Sequence, residues 1–137
     1  MPGKQDAGSH AVGDKVLLKD ESYALVGCAM EVYNTLGIGF LEAVYQEAME
    51  IELAERGVPF ESQKQLRIKY KNRWLNKFYV ADLVGYGKIV VELKCVPNLG
   101  DLEIAQALNY LKATGQRLCI LINFGRKGGL QYQRVVV

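Results

Sequence analysis

Glu92 and Lys94 interrupt the apolar run Ile89-Val90-Val91-Glu92-Leu93-Lys94, and Asp82 interrupts Phe78-Tyr79-Val80-Ala81-Asp82-Leu83-Val84 in the same way. Charges in apolar, strand-like runs are costly to bury unless they are paired or bind a metal. Side chains alternate along a strand, so Glu92 and Lys94 share one face, and Val91 and Leu93 share the other. Whether Asp82 joins them depends on the turn between the two runs. A two-residue turn at Tyr86-Gly87 pairs Asp82 with Val91 and sends Glu92 to the opposite face. A three-residue loop, or one bulge, brings Asp82 and Glu92 onto one face, opposite or diagonal. Two carboxylates and an ammonium then converge, and oxygen donors with open water positions suit Mg²⁺ or Mn²⁺. Such an ion lowers the pKa of water and polarises a phosphoryl oxygen. Lys94 would orient or deprotonate the attacking water, or offset charge developing at phosphorus. The competing reading is an internal Asp–Lys–Glu salt-bridge network with no chemistry.

Two helical segments add polar candidates. Gln106 and Tyr110 are four residues apart and share a helix face, from which they could reach a scissile phosphate; the plainer reading is a surface Gln and a half-buried Tyr. Glu42 opens a helix after Gly39, beside Tyr45, Met49 and Leu53 on a helical wheel. An acid in a first turn is also favoured by the helix dipole alone. Glu52 falls within the apolar stripe and calls for a buried partner.

These residues need a frame. Apolar positions at helical spacing predict a helix over 17–36, stopped by Gly37 and Gly39, and a second over 40–56, with Leu41, Val44, Tyr45, Ala48, Met49 and Ile51 as its stripe. Alternation over 65–70 predicts a half-buried strand. Further strands are expected over 74–84 and 88–96, with a turn at Gly85-Tyr86-Gly87. A helix follows over 101–114, with Leu102, Ala105, Leu108 and Leu111 inward and Gly115 as its stop. The run 117–124 is continuously apolar, as in a strand covered on both faces. A last strand spans 130–137. Helices over one sheet make an α/β or α+β layer arrangement. Residues 1–15 read as a flexible tail and 16–137 as a single domain.

Composition removes several alternatives. The 137 residues are 50% hydrophobic and 23% charged, ordinary for a folded protein. The lone histidine, His10, sits in the Gly/Ser-rich start, which argues against histidine-centred triads and His-rich zinc sites. Cys28, Cys95 and Cys119 are far apart and read as free thiols in a reducing compartment, so the expected location is cytoplasmic. No run is long enough for a membrane span. Net charge is only +2, but it is unevenly spread. Residues 60–77 hold Lys64, Arg67, Lys69, Lys71, Arg73 and Lys77 against Glu61 alone, and residues 117–137 hold Arg117, Arg126, Lys127 and Arg134 with no acid. The first cluster fits a phosphate-binding surface or a solvated sheet edge equally well. Trp74 within it and Phe78 and Tyr79 just after it are expected in the core, with base stacking as the alternative.

The stretch Gly39-Phe40-Leu41-Glu42-Ala43-Val44-Tyr45 resembles the signature of the bacterial GxxExxY protein family, which is grouped with the PD-(D/E)XK nuclease-like superfamily. Asp82, then Glu92-Leu93-Lys94, then Gln106 and Tyr110 resemble that superfamily's catalytic pattern, in the version seen in RecB-like and Cas4-like nucleases. The resemblance runs from about residue 36 to 136. It implies a restriction-endonuclease-like α/β fold, a mixed β-sheet flanked by α-helices. It also implies Asp82 and Glu92 as metal ligands, Lys94 as the catalytic lysine, and Glu42, Gln106 and Tyr110 as further site residues. The expected activity is Mg²⁺- or Mn²⁺-dependent hydrolysis of DNA or RNA. The rival is a nucleic-acid-binding or protein-interaction module that keeps the fold without catalysis.

Overall fold

The computed structural model describes residues 17–137; the expected tail and His10 lie outside them. Two helices come first, α1 (Lys19–Leu36) and α2 (Glu42–Glu55). Three strands follow, β1 (Phe60–Tyr70), β2 (Arg73–Gly85) and β3 (Ile89–Lys94), then helix α3 (Asp101–Thr114) and strands β4 (Leu118–Asn123) and β5 (Gln131–Val136). The strands form one sheet in the order β1-β2-β3-β4-β5. Only β3 and β4 run parallel, because only they are joined through a helix; every other neighbouring pair is antiparallel.

The sheet separates two apolar clusters. Leu25, Cys28, Ala29 and Val32 of α1 and Tyr45, Met49 and Leu53 of α2 pack on Leu83, Val91, Leu93, Ile120 and Ile122. Ala107 and Leu111 of α3 pack on the other face, against Leu66, Ala81, Val84, Val90, Cys119 and Leu121. All six residues of β4 are buried, as its unbroken apolar run requires of a strand covered on both sides. Among the described residues no helix is long and apolar enough to cross a membrane.

Two helical stripes differ from the sequence expectation. Leu41, just before α2, and Val44 and Ile51 within it are exposed, and the buried line is Tyr45, Met49 and Leu53. In α3, Leu102 and Ala105 are exposed; Ala107 and Leu111 are buried, with Ile104 and Leu108 half-buried beside them. Each helix carries more apolar residues than its contact line on the sheet can cover, so spacing alone does not choose among them. Trp74 and Phe78 are also outside the core, each about half exposed. They lie where the β1–β2 hairpin extends past the helices that cover the rest of the sheet. Glu52 finds its partner in Arg56, whose Nε lies 2.6 Å from a Glu52 carboxylate oxygen one helical turn on.

Candidate functional site

The turn between β2 and β3 decides where the acidic residues meet. Gly85 pairs with Ile89, Val84 with Val90 and Leu83 with Val91, so the loop is the three-residue Tyr86-Gly87-Lys88. Tyr86 (φ 56°) and Gly87 (φ 69°) both adopt left-handed conformations in it. This register puts Asp82 level with Glu92. The two backbones pair no further than Leu83 and Val91, and side chains take over the ladder. The Leu93 N–H donates to Asp82 Oδ2 at 2.8 Å, and the Asp82 N–H points at Glu92 Oε2 at 3.4 Å. Each carboxylate thus accepts from the backbone of the other strand, and the two carboxyl groups interact directly.

Asp82 also marks a slip in side-chain alternation. Tyr79 and Ala81 face α3, whereas Leu83 faces α1 and α2. Across the pair, Gln63 of β1 takes a left-handed backbone (φ 52°) between the regular pairs Ser62–Leu83 and Lys64–Ala81. Asp82 therefore lines a cleft of about 490 Å³ on the α2 side, with Glu42, Gln46, Glu47, Glu50 and Gln63. Gln46 fixes this wall: its Nε2 donates to the Asp82 carbonyl oxygen and to Glu50, each at 2.9 Å.

Because of that slip the three-residue loop brings the two acids level but not, as expected from the sequence, onto one face: Glu92 borders the other side of the sheet. With Lys94, Tyr79, Glu103, Gln106 and Tyr110 it lines a cavity of only about 30 Å³ beneath α3. The Tyr79 hydroxyl donates to the Glu92 carboxylate, and the Tyr79 ring stacks on Tyr110 with centroids 4.1 Å apart. Burial is the main force on both acids. It raises the Asp82 carboxyl above the usual carboxylate range, while the Leu93 N–H and the Lys94 charge pull it back. Burial and the Asp82 charge push Glu92 up to about 7, against the opposing pull of Tyr79, the Asp82 N–H and Lys94.

This pair could hold a hard divalent cation. Two oxygen donors are forced together in a half-buried gap, where both resist ionising without added positive charge. Two carboxylates plus water form an ordinary donor set for Mg²⁺. No group of three or more His, Cys, Asp or Glu side chains among the described residues is disposed to bind a metal, so water or substrate would complete the shell.

The structure distributes the sequence candidates in two groups that meet between the strands: Asp82 with Glu42, and Glu92 with Lys94, Gln106 and Tyr110. Glu42 is placed by a local lock. Gly39 turns the chain with φ 109°, and the buried Tyr45 donates its hydroxyl to the Gly37 carbonyl at 2.5 Å while stacking on Phe124 at 4.4 Å. The glycine and tyrosine around Glu42 thus fix where α2 starts. Sequence reasoning missed Tyr79, Gln46 and Asn123. Asn123 is a fully buried amide. Its Oδ1 accepts from the N–H groups of Val96 (2.9 Å) and Gly125 (3.0 Å), and its Nδ2 donates to the Val96 carbonyl (2.8 Å) and Gln131 Oε1 (2.9 Å). That clamp holds the chain leaving Lys94. Gly125 packs so tightly there that a Cβ would meet Val96 N at 2.6 Å. The available signal was a lone amide in the apolar run Leu118–Asn123.

A family model described as the PD-(D/E)XK nuclease superfamily matches residues 19–135. Among solved structures, the crystal structure of SSO0001 superposes with a TM-score of 0.53 at 16% sequence identity, over 88% of this chain and 60% of that one. This chain therefore spans about three-fifths of that chain's length, and at such identity the likeness concerns the fold. No curated protein matches the chain. The mixed five-stranded sheet, with α1 and α2 on one face and α3 on the other, is the restriction-endonuclease-like α/β fold expected from the sequence.

Proposed function

The chain belongs to the PD-(D/E)XK nuclease superfamily, and from that premise we propose that it hydrolyses phosphodiester bonds of DNA or RNA, with Mg²⁺ or Mn²⁺ held by Asp82 and Glu92. The observation that carries the reading is the pair of carboxylates that replace the β2–β3 ladder and accept each other's backbone N–H groups. A salt-bridge network explains the pair less well. The two salt bridges found among the described residues are Arg56–Glu52 and Lys64–Glu61, and neither includes Asp82, Glu92 or Lys94.

The ion, when bound, neutralises phosphoryl charge and acidifies water. Water attacks phosphorus and gives up a proton to the surrounding water, the new P–O bond forms as the bond to the leaving ribose or deoxyribose oxygen breaks, and that oxygen takes up a proton in its place. Asp82 and Glu92 hold the ion's position, each fixed by a backbone N–H. Lys94 follows Glu92 on the same face of β3, within electrostatic reach of both acids, where its ammonium orients the attacking water or offsets the charge gathering on the phosphoryl oxygens. Glu42 faces the roomier cleft beside Asp82, where the scissile phosphate enters. Gln106 and Tyr110 support the Glu92 side. We also read the chain as a member of the GxxExxY family, on Gly39, Glu42 and Tyr45, which serve here as turn, acid and peg.

The test is cleavage of labelled single- and double-stranded DNA and RNA with Mg²⁺, with Mn²⁺ and with EDTA. Cleavage that needs the divalent ion and is lost in both Asp82→Ala and Lys94→Ala is the expected result. Cleavage that survives both substitutions places the chemistry elsewhere.

A further inference from the structure

The outer half of the β1–β2 hairpin leaves one sheet face uncovered. Gln65 pairs with Val80 and Arg67 with Phe78; a bulge follows, after which Lys69 pairs with Trp74, and the contact of both Arg67 and Lys69 with the Trp74 ring keeps these six residues on one face. The opposite face carries Leu66, Tyr79 and Ala81 toward α3 and is open only nearer the tip, at Tyr70 and Arg73. On the open face Trp74 is 49% exposed, Phe78 47% and Val80 39%, an apolar row that a sheet ordinarily buries. The Arg67 guanidinium and the Lys69 ammonium each lie 5.1 Å from the Trp74 ring centroid. Arg67 and Lys69 make no salt bridge among the described residues, and neither do Lys71, Arg73 and Lys77, which add positive charge at the hairpin tip and on its other face. The row points inward to Gln63 and Asp82, which line the cleft.

We propose that this face is a stacking platform for unpaired nucleotides, with Trp74 and Phe78 taking bases and the surrounding Arg and Lys taking phosphates. The proposal rests on the nuclease reading of the adjoining cleft and narrows its substrate to a strand with unpaired bases. Aromatic rings beside unpaired cations match the alternating chemistry of a single strand, π-faces joined by phosphates. A duplex keeps its base faces stacked on one another and offers this surface only phosphates. An acidic protein would satisfy the charge but leave the aromatic row without a reason.

Trp74 is the only tryptophan in the chain, so its emission reports this face alone. The full chain in EDTA, which prevents cleavage, is titrated with oligothymidylate, oligouridylate and a matched duplex, each of about 12 nucleotides per strand, within the usual footprint of a single-strand site. Saturable quenching by an unpaired strand, weak quenching by the duplex, and at least about tenfold weaker binding of labelled strand by Trp74→Leu/Phe78→Leu are expected. Both positions are exposed, so the double variant should fold, and its melting temperature checks this. The relative response to the two oligonucleotides tells DNA from RNA. Binding seen by anisotropy with unchanged emission, equal binding of the duplex, an unaffected double variant, or no oligonucleotide binding each overturns the platform. Quenching without metal-dependent cleavage keeps the platform and removes the nuclease reading; cleavage with silent emission does the reverse.

Discussion

Asp82 and Glu92 lie level on neighbouring strands, yet Asp82 borders a cleft of about 490 Å³ and Glu92 a cavity of about 30 Å³. The Asp82 side is walled by polar side chains of α2 and β1. The Glu92 side is closed by a tyrosine hydroxyl and by the stacked rings of Tyr79 and Tyr110. Under the proposed hydrolysis the contrast divides the work. Room for a hydrated ion and a phosphate exists beside Asp82, whereas the surroundings of Glu92 fix one carboxylate and set its affinity for protons. Substitutions on the open side should therefore remove activity with little structural cost. Substitutions on the closed side should change affinity, pH response and stability.

The largest effect is expected at Asp82. Asp82→Asn keeps the size of the side chain and an oxygen for the Leu93 N–H, but removes the charge. Cleavage should fall by about 10³-fold or more, as for other groups that stabilise transition-state charge. In the metal-free protein near neutral pH the midpoint of urea unfolding should not fall and should, if anything, rise, because the ionised Asp82 is costly to bury and repels Glu92. A large loss of stability with retained cleavage would return Asp82 to a purely structural role.

The closed side should respond through Tyr79. Its hydroxyl supports the ionised form of Glu92, so Tyr79→Phe should raise the Glu92 pKa further and weaken Mn²⁺ binding by about 10- to 100-fold, the usual cost of losing an outer partner of a ligand. Calorimetric titration with Mn²⁺ measures the affinity, and the acid limb of the pH–rate profile should move to higher pH. Unchanged Mn²⁺ affinity would mean that the tyrosine serves packing only.

How far these two sides could be read in the sequence follows from what each depends on. The bounds of α3 were legible to the residue, because Gly115 supplies a left-handed stop (φ 78°) at its end. The buried β4 was legible because six consecutive core residues leave no solvent face. The level placement of Asp82 and Glu92 followed from one loop length, and the sequence allowed two. Tyr79 was invisible as a site residue, because an aromatic in an apolar strand looks like core until its hydroxyl is seen to face an acid. The exposure of Trp74 and Phe78 was equally hidden. Composition shows that a residue is apolar, but whether a helix covers that part of the hairpin is settled by tertiary packing.

The raised Glu92 carboxyl also makes the stability of the metal-free protein depend on pH. Its ordinary value is 4.5 and burial beside Asp82 lifts it to about 7 in the folded chain. Between those values the folded state holds a proton that the unfolded state has released, so stability falls as pH rises across this window. Asp82 shifts in the same direction and adds to the slope. Melting temperatures measured in EDTA from pH 4.5 to 7.5 should therefore decline more steeply for the wild type than for Glu92→Gln, which cannot ionise. Saturating Mn²⁺ should restore stability most at the upper end of the range.

The smallest effect is expected at the edge of the closed side. Tyr110 is 40% exposed; it borders the Glu92 cavity and stacks on the Tyr79 ring, which alone of the two donates to Glu92. Tyr110→Leu keeps apolar cover over Tyr79 but loses the aromatic pair, a cost of about 1 kcal/mol. Because Tyr79 still reaches Glu92, Mn²⁺ affinity should weaken only a few-fold, well short of the change in Tyr79→Phe. The double variant Tyr79→Phe/Tyr110→Leu should then bind Mn²⁺ no worse than Tyr79→Phe alone, since both losses act through one hydroxyl. Additive losses in Mn²⁺ affinity would show that Tyr110 reaches the ion or its water by a route of its own, and the two tyrosines would no longer act in series.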